Sequence, residues 1–247
     1  MARSERIKAI ELSALREAEL DPLLDSLDSL EEQLRPFEYV SFHAPSRLEK
    51  LSEAQLVDKL QMVADRGWAI IIHPDVIHDV RLWRPLGAAV CIENMDRRKE
   101  IGRTAAQLQR FFAELPDATF CFDVGHARQV DPTMQEAETF LRCFGNRLRQ
   151  IHMSYVNSRS GHERLNFDSL VAFRRIAHWL KDSVPVILET PVATEAIEEE
   201  VSAAESVFHD LDNGEKRRGE DGRTKISRKG AKAQRGRPSS GDSEEGT

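Results

Sequence analysis

Short runs of β-branched and aromatic residues alternate along the chain with segments whose apolar positions recur every three to four residues. The runs are Ile7–Leu12, Tyr39–His43, Trp68–His73, Ala89–Glu93, Thr119–Asp123, Leu148–Ser154 and Val184–Glu189. Each has the length and composition of a strand. Between them, Glu19–Leu34, Ser52–Asp65, Thr104–Leu115, Pro132–Phe144, Asp168–Lys181 and Ala193–Leu211 read as amphipathic helices. Leu56, Leu60 and Val63 share one helical face, for example, and Ser52, Asp131 and Asp168 stand at expected N-caps. Near-continuous apolar strands alternating with helices, at a repeat of about 30 residues, predict βα units with parallel strands covered by helices. A closed barrel and an open doubly wound sheet both satisfy this pattern. No glycine-rich phosphate loop follows a strand, which counts against a nucleotide-binding open sheet.

The pattern stops near Leu211. Residues 213–247 are rich in Gly, Ser, Lys and Arg, with Ile226 the single aliphatic residue larger than alanine. Such a segment cannot bury enough apolar surface to offset its ordering entropy. The expected organisation is a folded domain over residues 1–212 and a disordered basic tail over 213–247. The tail carries ten Lys and Arg against six Asp and Glu, which leaves 25 against 36 in residues 1–212, a balance of −11. An acidic body of this kind repels duplex nucleic acid unless a local basic groove compensates. A small-molecule substrate is therefore the expected partner, with nucleic acid disfavoured and an oligomer open. No apolar run approaches the ~20 residues of a membrane span. The N-terminus lacks a signal-peptide pattern, and the three cysteines are widely spaced, so a reducing, cytoplasmic location is expected.

The candidate chemistry lies at the strand ends. Six of the seven strands finish with a potential metal ligand: His43, His73, Glu93, Asp123, His152 and Glu189; His126 and His162 follow in loops. In a parallel barrel the C-terminal ends of the strands form one rim, where residues distant in sequence converge. Imidazole and carboxylate together suit Zn, Mn, Fe, Co or Mg. Each residue alone also fits a hydrogen-bonded structural histidine or a helix-capping carboxylate. Glu93 and Glu189 resist that explanation, because each ends an apolar strand where an unpaired carboxylate is costly. Glu11 stands near another strand end, where a rim position and a salt bridge fit equally. Asn94 and Lys99 are candidates for substrate binding or for an ordinary charged loop. His78, His178 and His209 fall on helical segments without a partner pattern.

The order His43 (HAP), His73 (HP), Glu93 (ENM), Asp123-x-x-His126 (DVGH), His152 (IHMS), His162 (GH) and Glu189 (LET) resembles the xylose isomerase-like TIM-barrel superfamily. That group includes sugar and sugar phosphate isomerases and epimerases and the endonuclease IV family. The resemblance implies a TIM-type (β/α) barrel of eight strands. Seven are identified here, with the first missing, and an N-terminal segment upstream of Met1 is one expectation that follows. It also implies a divalent metal (Mn, Mg, Co or Zn) held by Glu93, Asp123, His152 and Glu189, with His126 beside it. His43 and His73 match second-zinc positions of the endonuclease branch, and His162 a third-zinc ligand. Ser160 stands where that branch has an aspartate.

Two enzymatic readings follow, and a degenerate metal-binding barrel is a third. In the favoured one, a metal-dependent isomerase or epimerase of a small sugar or sugar phosphate works through an enediolate. Glu93 and Glu189 exchange the proton, His126 holds a substrate oxygen, and Arg159 or Arg164 pairs with a phosphate or carboxylate. The alternative is a zinc-dependent phosphodiesterase of the endonuclease type, supported by His43, His73, His126 and His162.

Overall fold

The computed structural model describes residues 6–181 and 183–208. The expected tail, His209 and the end of the last expected helix lie outside the described residues. The barrel begins with β1 (Ala9–Ser13), α1 (Glu17–Leu34), β2 (Tyr39–His43), α2 (Glu53–Ala64), β3 (Ala69–Ile72) and the single turn α3 (Val80–Trp83). It continues with β4 (Val90–Glu93), α4 (Ala105–Glu114), β5 (Thr119–Asp123), α5 (Val124–Val130), α6 (Gln135–Phe144) and β6 (Leu148–Met153). A short antiparallel hairpin, β7 (Tyr155–Val156) and β8 (His162–Glu163), precedes α7 (Phe167–Arg174), β9 (Val186–Leu188) and α8 (Ile197–Glu205).

β1 to β6 and β9 form one sheet in sequence order, and every neighbouring pair is parallel. β1 and β9 come side by side without a hydrogen-bonded ladder. The result is a TIM-type α/β barrel of seven strands, nearly closed and open along one seam. An apolar groove of about 710 Å³ follows that seam, walled by Ile10 of β1, Val186 and Leu188 of β9, and Val201 and Ala204 of α8.

Alternation along each strand divides two interiors. Outward positions such as Phe42, Ile70, Ile92, Phe120, Phe122 and Ile151 join the helices in the main core. There Phe112 and Phe144 approach to 4.6 Å between ring centroids, and Phe120 meets Phe140 at 5.8 Å. Inward positions fill the barrel with a small apolar cluster, Ala69, Ile71, Cys91 and Cys121, against Tyr39. This outer core supplies most of the buried apolar area. The inner layer can therefore be small and, toward the C-terminal end, polar.

Several helix limits differ from the expected ones, each for a local reason. The segment expected to open at Pro132 starts at Gln135. Met134 adopts a left-handed φ of 63° there, while Asp131 commits its carboxylate to the Thr133 and Glu136 amides. Asn166, not Asp168, caps α7, because Asn166 and Ser169 exchange side-chain bonds at 2.9 and 3.0 Å. That helix ends at Arg174, short of Lys181. The hydrophobic pattern does not announce α5, since it follows β5 with no intervening polar loop; Asp123 both ends the strand and caps the helix.

Candidate metal centre

The parity of the strands sends Tyr39, Ser41 and His43 inward, together with Cys91 and Glu93, Cys121 and Asp123, and Gln150 and His152. Parallel register then levels their ends: Asp123 lies beside His152 and Glu93 beside Cys121. His73 and Glu189 directly follow β3 and β9, so all six strand-end residues reach one mouth.

Their donor atoms converge into overlapping sets. Glu93, Asp123, His152 and Glu189 have ligand atoms within 4.8 Å of one another, as do His43, His73 and Glu93. Asp123, His126 and His162 form a third set and Glu11, His43 and Glu189 a fourth. Glu93 is at the hub. Its Oε2 is 3.1 Å from His73 Nε2 and 3.4 Å from His43 Nε2, and its Oε1 is 3.3 Å from His152 Nδ1. His152 Nδ1 also stands 3.2 Å from Glu189 Oε1.

Backbone partners orient these side chains. His43 Nδ1 donates to the Ala44 carbonyl at 2.8 Å, which turns Nε2 toward Glu93. His126 Nδ1 lies 3.0 Å from the Asn94 carbonyl, which leaves Nε2 as the free nitrogen. Asn94 clasps β5 by donating to the Asp123 carbonyl and accepting from its amide, both at 2.8 Å. Asp123 Oδ1 accepts from the His126 amide at 2.6 Å. The capping role and a ligand role therefore coexist, one on each oxygen.

Glu93 Oε2, Asp123 Oδ2, Glu189 Oε2, His126 Nε2 and His73 Nδ1 are all buried without a hydrogen-bond partner. Leaving one such group unsatisfied costs about 1–3 kcal/mol, and more when it is charged. Three of the five are carboxylate oxygens, and Glu93, Asp123 and Glu189 share one donor set with His152, a mixture of oxygen and imidazole donors that suits a divalent cation. The residues present thus fit a metal.

The electrostatics follow from this crowding. Burial would raise Glu93, but His152, His43 and His73 outweigh it and hold its carboxyl well below the usual range. Burial wins at Glu189, which is pushed up to about 7, with Asp123 and Glu93 adding to the rise. Asp123 is raised for the same reasons, burial first and then Glu93. Burial disfavours the charged form of His43, yet Glu93 and Glu11 raise it to about 9. His152 and His126 are raised by neighbouring carboxylates against burial. Burial lowers His73 and His162.

His162 sits on the hairpin at the mouth, a quarter exposed, with its Nδ1 2.8 Å from Ser154 Oγ. Ser160, buried with a φ of 60°, receives a 2.7 Å bond from Gln129. Lys99 spans the rim, donating to Asp75 Oδ2 at 2.7 Å and to the Ser46 carbonyl at 3.1 Å. Arg159 is exposed on the hairpin loop. Arg164 turns toward α8 and pairs with Glu199 and Glu200. Glu11, evenly balanced between two roles in the sequence, is inside the barrel beneath His152. Gln150 and Ser41, which bond to it, carry no motif; the signal available for them was strand parity, two residues before His152 and two before His43.

No family model and no curated protein matches the chain. Among solved structures it is similar to D-psicose 3-epimerase, crystallised in the presence of D-fructose, at 16% identity and a TM-score of 0.45, over 83% of this chain and 86% of that one. It is also similar to endonuclease IV from Thermus thermophilus, at 17% identity and a TM-score of 0.45, over 82% of this chain and 98% of that one. Among the described residues no helix is long and apolar enough to cross a membrane.

Proposed function

We propose that the chain is a divalent-metal-dependent enzyme that hydrolyses a phosphoester at the mouth of its barrel. The observation that carries this reading is the sharing of a carboxylate between donor sets: Glu93 belongs both to the set of His43 and His73 and to the set of Asp123, His152 and Glu189. A carboxylate common to two sets is the arrangement that places two ions side by side. His43, His73, Glu93, Asp123, His152 and Glu189 would hold them. Bound there, divalent ions supply Lewis acidity toward a phosphoryl oxygen and make a water acidic enough to attack at neutral pH.

The chain's own groups do the rest. His162 and Glu189 form the exposed lip of the centre, where a substrate oxygen first meets hydrogen-bonding groups. Lys99 places a cation on the rim near His73, and Arg97 and Arg98 stand exposed on the same loop. Lys99 and Arg98 are paired with Asp75 and Asp96, so an anionic substrate would have to compete with these carboxylates for them. Ser160 contributes no charge to the set of Asp123, His126 and His162, so two ions are expected rather than three.

A second reading, the isomerase or epimerase, is favoured by the presence of both strand-end glutamates in one four-residue donor set. The two carboxylates end different strands and both adjoin His152, and a cation bound between them would keep both ionised, as a pair that takes and returns a proton next to a carbonyl requires. Metal analysis of purified protein, combined with a phosphodiester panel and a solvent-exchange assay on sugars, separates the two. Two ions per chain with phosphodiester cleavage support the proposal. One ion, with solvent-proton exchange into a sugar that is lost in Glu189→Gln, overturns it in favour of the second reading.

A further inference from the structure

Beneath the centre, Glu11 occupies an inward position of β1, on the strand that borders the open seam. Its Oε2 accepts from Ser41 Oγ at 2.9 Å and from Gln150 Nε2 at 2.8 Å, and lies 3.2 Å from His152 Nε2. Its side chain is 4% exposed and that of His152 is fully buried. The other nitrogen of His152, Nδ1, faces Glu93 and Glu189. We infer that Glu11 is a positioning residue for the metal centre, holding the Nε2 proton of His152 so that the Nδ1 lone pair is presented to an ion.

A neutral imidazole carries one proton on two nitrogens, and the partner of one nitrogen decides what the other can do. Two arrangements compete here. Gln150 Nε2 is 2.6 Å from His152 Nε2, and an amide N–H directed there would require the ring proton on Nδ1, where it would block a ligand bond. Glu11 offers the opposite: a buried, acceptor-only carboxylate whose charge-assisted bond to Nε2–H is the stronger one. The bond that Gln150 donates to Glu11 engages one amide hydrogen and fixes the carboxylate. The Glu11 carboxylate, which only accepts, keeps the amide nitrogen on its side, and Tyr39 donates to Gln150 Oε1 at 2.7 Å on the other. Ser41, Gln150 and Tyr39 thus anchor a carboxylate–imidazole pair whose far end is the centre. Carboxylates in this relation to a ligating histidine set its orientation and basicity, and removing them costs about 10–100-fold in metal affinity.

This inference rests on the reading of the cluster as a metal centre, and the test separates the two. Full-length wild type, Glu11→Gln and Ser41→Ala are titrated with Co2+ against a competing chelator, and the visible absorption of the bound ion is recorded. Glu11→Gln keeps the shape of the side chain and should lose roughly 10–100-fold in affinity with a shifted spectrum. Ser41→Ala, which only loosens the carboxylate, should lose less. The ring nitrogens of His152 in Zn2+-loaded wild type, assigned with His152→Gln, should show the Nε2–H form by nitrogen NMR. A folded Glu11→Gln with wild-type affinity and spectrum overturns the inference, as does an Nδ1–H ring in the loaded protein. The NMR measurement decides if Glu11→Gln does not fold. Failure of the wild type to bind any ion removes the metal reading itself.

Discussion

Glu93 Oε1 lies 3.3 Å from His152 Nδ1, and both side chains are shut away from solvent. The opposite oxygen of the same carboxylate faces His43 and His73. With His126 Nδ1 3.4 Å from Oε1 as well, one buried anion answers four imidazoles. Removing a single partner from a buried charged group typically costs about 3–5 kcal/mol, because the remaining charges stay buried without compensation. Glu93→Gln should destabilise the metal-free protein at neutral pH by an amount near the lower end of that range, about 3 kcal/mol. Because Glu93 belongs to two donor sets, the variant should also lose ions from both. Urea unfolding after chelation measures the first effect, and native mass spectrometry counts the ions. A variant that keeps full stoichiometry would show that Glu93 is not a shared ligand.

The same cluster predicts opposite pH responses with and without metal. In the metal-free protein His43 is raised from 6.5 to about 9. Its contribution to stability is complete below the unfolded value of 6.5 and is lost as pH rises toward 9. Glu189, raised from 4.5 to about 7, acts in the same direction, since its favoured form in the fold is the protonated one. Ligands must shed protons to bind an ion, so affinity rises over the same interval and the stabilisation by saturating metal grows with it. Thermal melts between about pH 6 and about pH 8.5 should show the chelated protein losing stability while its gap to the loaded protein widens. A constant gap would refute the linkage.

The outer core predicts a conventional packing loss at a distance from this chemistry. Phe120 is fully buried and meets the rings of Phe112, Phe140 and Phe144. Truncating a buried phenylalanine removes its transfer free energy and leaves a cavity, at about 3–5 kcal/mol. Phe120→Ala should fall in that range by chemical denaturation with an unchanged slope. Because its side chain points away from the barrel interior, metal affinity of the folded fraction should change by less than a factor of about three. A larger loss would mean that the two interiors are coupled through β5.

The strands, and the polar residues that end them, were legible in the sequence for a common reason. A strand buried on both faces is written as an apolar run, and a carboxylate that ends such a run, as at Glu93 and Glu189, is costly unless it is partnered. Tyr39–His43 and Thr119–Asp123 coincide with the observed β2 and β5. Helix starts were less legible, because they depend on which of two neighbouring side chains reaches an amide first, as at Asn166 against Asp168. Glu11, Ser41 and Gln150 were hardest to read. Their importance comes from a bond between β1 and β6 across the barrel, and no local pattern encodes which inward polar residues meet there. The hairpin that carries His162 is two residues per strand, too short for periodicity to mark.

Gly125, inside the DVGH segment, ties the local fold to the centre in a way that can be tested. A Cβ at this position would sit 2.5 Å from the Ser154 carbonyl oxygen, 2.7 Å from Val156 Cγ2 and 3.3 Å from Asp123 Oδ1. The first of these is backbone at the end of β6 and cannot swing aside. The first turn of α5 would have to move away from the sheet, and Asp123 and His126 flank the displaced residue on that turn. Gly125→Ala should therefore cost about 1–3 kcal/mol, as overpacking does, and should weaken metal binding more than its stability loss alone explains. Gly145→Ala is the matched control: its Cβ meets nothing within 4 Å and its φ of −59° suits alanine. Metal titration and denaturant melts on both variants give the comparison. Equal metal affinity in the two would mean that the close approach at Gly125 serves packing alone and leaves the ligand positions untouched.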